Sequence, residues 1–186
     1  MIYLVSGFDR SGTSMMMRCL ITGGLVGVHD HFQDMSNMIP DDPNYHPNPN
    51  GFYGLRITEF NRPDFIEEYD GKLIKCPWRN LRKLPRHDYN IVFMLRNPSE
   101  IRASMNKFIP TGWKSDRAYT HIYDWLVPAI LEKLRSRGDM MIHTVLYSDV
   151  VSSPQKEFDK MQLPINSSKA SSMVQPELYR FRVETS

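Results

Sequence analysis

The chain has 186 residues, of which 41% are apolar and 24% charged, a composition and length suited to one compact domain that buries a real core. Its 23 basic and 21 acidic residues leave a net charge of +2, too balanced for wholesale coating of a nucleic-acid polymer or a membrane surface, so any anion recognition is expected to be local. Only Cys19 and Cys76 are present, which gives no disulfide framework and suits a reducing cytoplasm; neither a signal peptide nor a membrane-spanning apolar stretch is legible.

From the N-terminus, short apolar runs rich in β-branched residues fall at residues 2–6, 73–75, 91–95 and 141–146, each followed by turn or helix-start residues. Helical patterns lie between them at 13–22, around 57–69 with an interruption at Pro63, at 99–107, at 116–137 and near 155–161. Strand alternating with helix predicts right-handed βαβ units. The expected fold is a three-layer α/β domain, its central, mostly parallel sheet of about four to five strands flanked by helices, in the manner of P-loop NTPases. One domain is expected over 1–186. Residues 30–61, crowded with Asp, Asn, Pro and Gly, read as a substrate loop, and 167–186 as a tail that is either loosely packed or docked through Leu178, Tyr179 and Phe181.

The first strand runs into Gly7-Phe8-Asp9-Arg10-Ser11-Gly12-Thr13-Ser14. Glycines at both ends permit close approach of the backbone, and the helix that follows offers oriented N–H groups and a partial positive charge to an anion. A nucleotide-hydrolysing P-loop carries lysine directly after its second glycine; here Thr13 stands there, and the cation is Arg10, inside the loop. A guanidinium holds two oxygens of a phosphate or sulfate at once and does so without magnesium. Farther on, the strand at 91–95 ends in Arg96-Asn97-Pro98, and Ser104 follows a little under two helical turns after Pro98, so that Arg96 and Ser104 can face one phosphate.

These two segments resemble the phosphate-binding signatures of sulfotransferases that use 3′-phosphoadenosine 5′-phosphosulfate (PAPS): Arg10-Ser11-Gly12-Thr13-Ser14 is similar to the 5′-phosphosulfate loop, and Arg96 with Ser104 to the 3′-phosphate clasp. The likeness spans residues 1 to about 163, with Tyr147-Ser148-Asp149 standing where relatives place a supporting segment. It implies PAPS as donor, 3′,5′-bisphosphoadenosine (PAP) as product, and no metal. Gly7, Arg10, Ser11, Gly12, Thr13, Ser14, Arg96 and Ser104 become the donor-binding residues. Lys75, in Lys75-Cys76-Pro77-Trp78, resembles the lysine that aids departure of the leaving phosphate; the histidine that follows it in the small-molecule group is absent. Asp30 and His31 stand near the position of an acidic base in some relatives, and His31 is preferred because an imidazole accepts protons near neutral pH.

The segment Asn48-Pro49-Asn50-Gly51-Phe52-Tyr53-Gly54 is similar to one in bacterial members, but Gly54 replaces their usual Glu. The acceptor, expected to be a small molecule or carbohydrate rather than a protein, contributes a hydroxyl or amine. Two other functions fit parts of the pattern: a P-loop small-molecule kinase, weakened by Thr13 in the lysine position, and a PAP-binding protein that retains the fold without turnover.

Overall fold

The computed structural model describes residues 1–29, 48–108 and 116–182. Five strands form one wholly parallel sheet in the order β2-β3-β1-β4-β5, where β1 is Ile2–Gly7, β2 Gly27–Val28, β3 Leu73–Lys75, β4 Tyr89–Leu95 and β5 Met140–Leu146. Helices cover both faces, as parallel strands require. The α/β architecture is the one the alternating pattern predicts.

Period-two alternation sorts the strand residues between two cores. Ile2 and Leu4 of β1, Ile74 of β3, Tyr89, Ile91 and Phe93 of β4 and Met140 of β5 face one core, closed by α2 (Phe65–Tyr69), α3 (Pro98–Phe108) and α4 (Asp116–Arg135). Val5, Leu73, Val92, Met94 and Val145 face the other, closed by α1 (Thr13–Gly23), α5 (Tyr147–Ser152), α6 (Pro154–Lys160) and α7 (Ser167–Ser171). Met16 and Met17 of α1 are fully buried, so this part of the methionine-rich run is core. Phe93 is equally buried at the centre of the sheet, and truncating such a residue to alanine costs about 3–5 kcal/mol.

Among the described strands and α-helices, three escape the sequence pattern because they are too short to show a period: β2, α5 and α7. The stretch around 57–69 divides at Pro63, as expected, into a 3-10 turn (Ile57–Asn61) and α2. The tail is docked over its described part. Ala170 of α7 is fully buried against α1, Asn166 caps α7 by accepting from the Lys169 N–H at 2.9 Å, and the chain then passes over the carboxyl ends of the strands to Arg182. Among the described residues no helix is long and apolar enough to cross a membrane.

Candidate active site

The carboxyl ends of β1, β3 and β4 open onto a cavity of about 330 Å³, within the range of small-molecule and cofactor sites. The N-terminal loop forms its floor. Gly7 has φ of 147°, and a Cβ there would lie 2.6 Å from the Ser11 hydroxyl and 2.7 Å from the Met94 carbonyl. Gly12 has φ of 99°, and a Cβ there would meet the Tyr147 ring at 2.3 Å. Both positions therefore require glycine on two counts, conformation and space. α1 begins directly after Gly12 with no acidic residue in its first turn, so the positive end of its dipole and its unpaired first-turn amides meet the cavity uncompensated.

Arg10 adopts φ of 67°, a left-handed conformation that is costly outside glycine. That turn carries its side chain across to α3, where Nε donates to the Ser104 hydroxyl at 2.9 Å. Arg96, at the end of β4, is the keystone. Its Nε donates to Glu100 at 2.9 Å, one Nη to the Arg10 carbonyl at 3.1 Å and the other to the Arg180 carbonyl at 3.0 Å. Its guanidinium carbon lies 4.6 Å from the Tyr147 ring centre and 5.4 Å from that of Tyr179, and the Tyr179 hydroxyl donates to the other oxygen of Glu100 at 2.8 Å. Of five guanidinium N–H groups, three are taken by these partners, which leaves two to meet a ligand. Arg96 and Glu100 are only 9% and 3% exposed, so the pair is held away from solvent screening.

Lys75 ends β3 at the same cavity. Its Nζ donates to the Ser14 hydroxyl at 3.0 Å and to the Phe52 carbonyl at 2.6 Å, and Ser14 in turn donates to that carbonyl at 3.1 Å. Burial pushes the Lys75 ammonium down to about 8, with the Asp9 carboxylate pulling it up and the Arg10 charge pushing it further down. A lysine so tuned is charged at neutral pH yet gives up its proton more readily than a solvated one.

Of the expected donor residues, Arg10, Gly12, Thr13, Ser14, Arg96 and Ser104 line the cavity, together with Lys75. Gly7 and Ser11 do not. The Ser11 hydroxyl is buried without a partner and turned beneath the loop toward Gly7, while its N–H donates to the Phe8 carbonyl at 3.1 Å, so Ser11 shapes the loop from below. Asp30 and His31 lie outside the described residues. Glu59 is turned away, paired with Arg62 and Tyr69. Among the described residues no cluster of three His, Cys, Asp or Glu side chains is arranged to hold a metal ion.

Several lining residues are not singled out by the sequence. Arg18 lies four residues after Ser14 and so on the same face of α1, a spacing that could have revealed it. It donates to the Met173 carbonyl and, at 2.8 Å, to the Gln175 side chain, which also accepts from Asn50 at 2.8 Å. Gln175 thereby ties α1, the Asn48–Phe52 stretch and the tail together over the cavity. Arg180 completes the rim from the tail together with Phe181, which the sequence offers as a docking residue, and no spacing in the sequence connects either to the loop. Tyr147, expected only as support, opens α5 directly beside Gly12. Among the described residues, the non-glycine ones with left-handed backbone, Arg10, Tyr53, Gln162 and Phe181, gather here with one exception: Arg10 and Phe181 line the cavity and Tyr53 adjoins Phe52.

No family model matches the chain, and no curated protein matches it. Among solved structures, a sulfotransferase domain from the curacin biosynthetic pathway superposes with a TM-score of 0.42 and 13% sequence identity, covering 86% of this chain and 71% of that one. A likeness of that degree says nothing about function.

Proposed function

We propose that the chain is a PAPS-dependent sulfotransferase, moving a sulfuryl group to a hydroxyl or amine and releasing PAP. The observation that carries this reading is the convergence of Arg10, Arg18, Lys75, Arg96 and Arg180 with the uncompensated N-terminus of α1 on a single cavity, arranged around a loop that lacks the lysine of a nucleoside-triphosphate site.

In this reading the first-turn amides of α1, Thr13, Ser14 and Arg10 hold the 5′-phosphosulfate, and Arg96 with Ser104 holds the 3′-phosphate. Arg96 is positioned before any ligand arrives by its contacts to Glu100, Arg10 and Arg180, so little side-chain freedom is lost on binding. The acceptor oxygen attacks sulfur, the bond from sulfur to the bridging oxygen breaks, and its electrons pass to the 5′-phosphate oxygen of PAP. The Lys75 ammonium, held by Ser14 at the end of β3, stabilises that developing charge. The donor carries the group transferred, and these residues supply binding, orientation and charge without a step that calls for a metal. The acceptor is expected to be a small molecule or carbohydrate.

The six-residue span from Gly7 to Gly12 favours a second reading, a small-molecule kinase. Incubation with PAPS, chelator and water as the acceptor, and separately with ATP, magnesium and water, decides between them. The sulfotransferase reading predicts PAP release in the first mixture and no ADP in the second; ADP alone would replace it with the kinase.

A further inference from the structure

The cavity that gathers five cations contains one carboxylate among its described lining residues, Asp9. An acid in an anion cradle opposes the binding of phosphate and sulfate, so it needs a reason to be there. Structural duty does not supply one: Asp9 is exposed and makes no hydrogen bond or ion pair among the described residues, in contrast to Glu100, which is buried against Arg96 and Tyr179.

Its position is set from both sides. Phe8 is pinned by its ring, stacked on Trp78 at 4.8 Å and tilted against Tyr123 at 5.0 Å, while the Arg10 side chain is held by Ser104 on α3. Asp9, between them, is exposed and lines the cavity, within electrostatic reach of Lys75 on β3 and Tyr119 on α4; among the described residues Arg10 also acts on Lys75 and Arg79 on Tyr119. Lys75 marks the leaving oxygen in the proposed reaction, and a base has to work on the far side of sulfur from it. Asp9 is the one carboxylate among the described lining residues, and it stands on the loop after β1, a different element from β3, which carries Lys75.

We infer that Asp9 is the general base that accepts the acceptor's proton, an inference that rests on the sulfotransferase reading. The proton passes from the acceptor O–H or N–H to the Asp9 carboxylate as the acceptor atom bonds to sulfur. The bond to the bridging oxygen breaks, PAP leaves with the electron pair, and Asp9 later returns the proton to water. Asp9 thereby takes the part for which Asp30 and His31 are the sequence candidates.

The test uses the full chain with PAPS and water as the acceptor, followed by PAP release, alongside calorimetry with PAP. Asp9→Asn is expected to slow PAP release by about a hundredfold or more while PAP binds as tightly as before or tighter. Asp9→Ala is expected to regain activity with added formate. A rate within threefold of the parent for Asp9→Asn, a parallel loss of PAP affinity, or no formate rescue would overturn the assignment. So would a parent chain that binds PAP but releases none from PAPS, whereas absence of PAP binding by the parent would instead remove the donor reading.

Discussion

Two cationic regions sit at opposite ends of the parallel sheet. At the carboxyl ends of the strands, Arg10, Arg18, Lys75, Arg96 and Arg180 surround the candidate active site; at the amino ends, Arg82, Arg86, Lys133 and Arg137 line an open groove of about 370 Å³. Volume and charge are similar, and the difference lies in what holds the charges. Arg137 is a fastener: it pairs with Asp139 at 3.0 and 2.7 Å and donates to the carbonyls of Leu81, Leu84 and Pro85, joining the starts of β4 and β5 to the preceding turn. Arg86 is 71% exposed, and Arg82 and Lys133 make no ion pair among the described residues, so their fields are screened by salt. At the other end, Arg96 is nearly buried, braced on three sides and stacked against two tyrosines. At the carboxyl ends a buried, braced cation keeps N–H groups turned to the cavity, whereas in the amino-end groove the braced cation, Arg137, is spent on fastening the strand starts and Arg82, Arg86 and Lys133 are exposed.

The largest effect should follow charge reversal at Arg96. Arg96→Glu places a second carboxylate beside Glu100 in a site shielded from water, so the variant is expected to lose PAP binding by more than a hundredfold and to lose stability as well. Breaking a buried pair of this kind costs about 3–5 kcal/mol, readable by chemical denaturation. Arg96→Lys should keep the charge and lose the fork, with an intermediate affinity.

A smaller and pH-dependent effect comes from Lys75. The folded chain holds its proton less tightly than the unfolded chain, about 8 against 10.5, so this residue adds stability as pH rises from about 8 toward 10.5. Donor binding runs the other way. Anions favour the ammonium, so PAP affinity should be full below about pH 8 and fall above it, by as much as about tenfold per pH unit. Calorimetry across pH 7 to 10, with Lys75→Met as the comparison, checks both the sign and the residue; a profile shared by the variant would remove Lys75 from the site. The smallest effect is expected at the amino-end groove. Arg82→Glu with Lys133→Glu should leave PAP affinity within twofold and change stability by about 0.5 kcal/mol or less per site. A tenfold loss there would mean that long-range charge, and not local bracing, attracts the ligand.

The parts of the molecule legible in the sequence are those with a local signature. The strands at 73–75 and 91–95 and the helix start at Thr13 follow from apolar period and turn residues, and the structure places them within a residue or two. Lys75 and Arg96 stand at strand ends, Arg10 in the loop after β1 and Ser104 a little under two helical turns into α3, so their arrival in one cavity follows from a parallel sheet. The illegible parts depend on distant segments: Arg180 reaches Arg96 across 84 positions, and Gln175 reaches Arg18 across 157. Neither carries a periodic or spaced signal. Ser11 misleads for a different reason, because a hydroxyl within a phosphate loop can turn inward when its N–H closes a tight turn with Phe8. Asp9 is inconspicuous between two bolder neighbours, Phe8 and Arg10, and what sets it apart is that it lines the cavity without a hydrogen bond or ion pair among the described residues.

The central claim, that the cavity is built for a nucleotide with phosphates at both the 5′ and 3′ positions, is tested most directly by calorimetry of the full chain with PAP and with AMP. In the proposed reading Arg96 and Ser104 hold a phosphate that AMP lacks, so PAP should bind at least about a hundredfold more tightly, the worth of one or two charge-assisted hydrogen bonds, and Arg96→Glu should abolish the difference. Equal affinity of the parent chain for PAP and AMP would contradict the account.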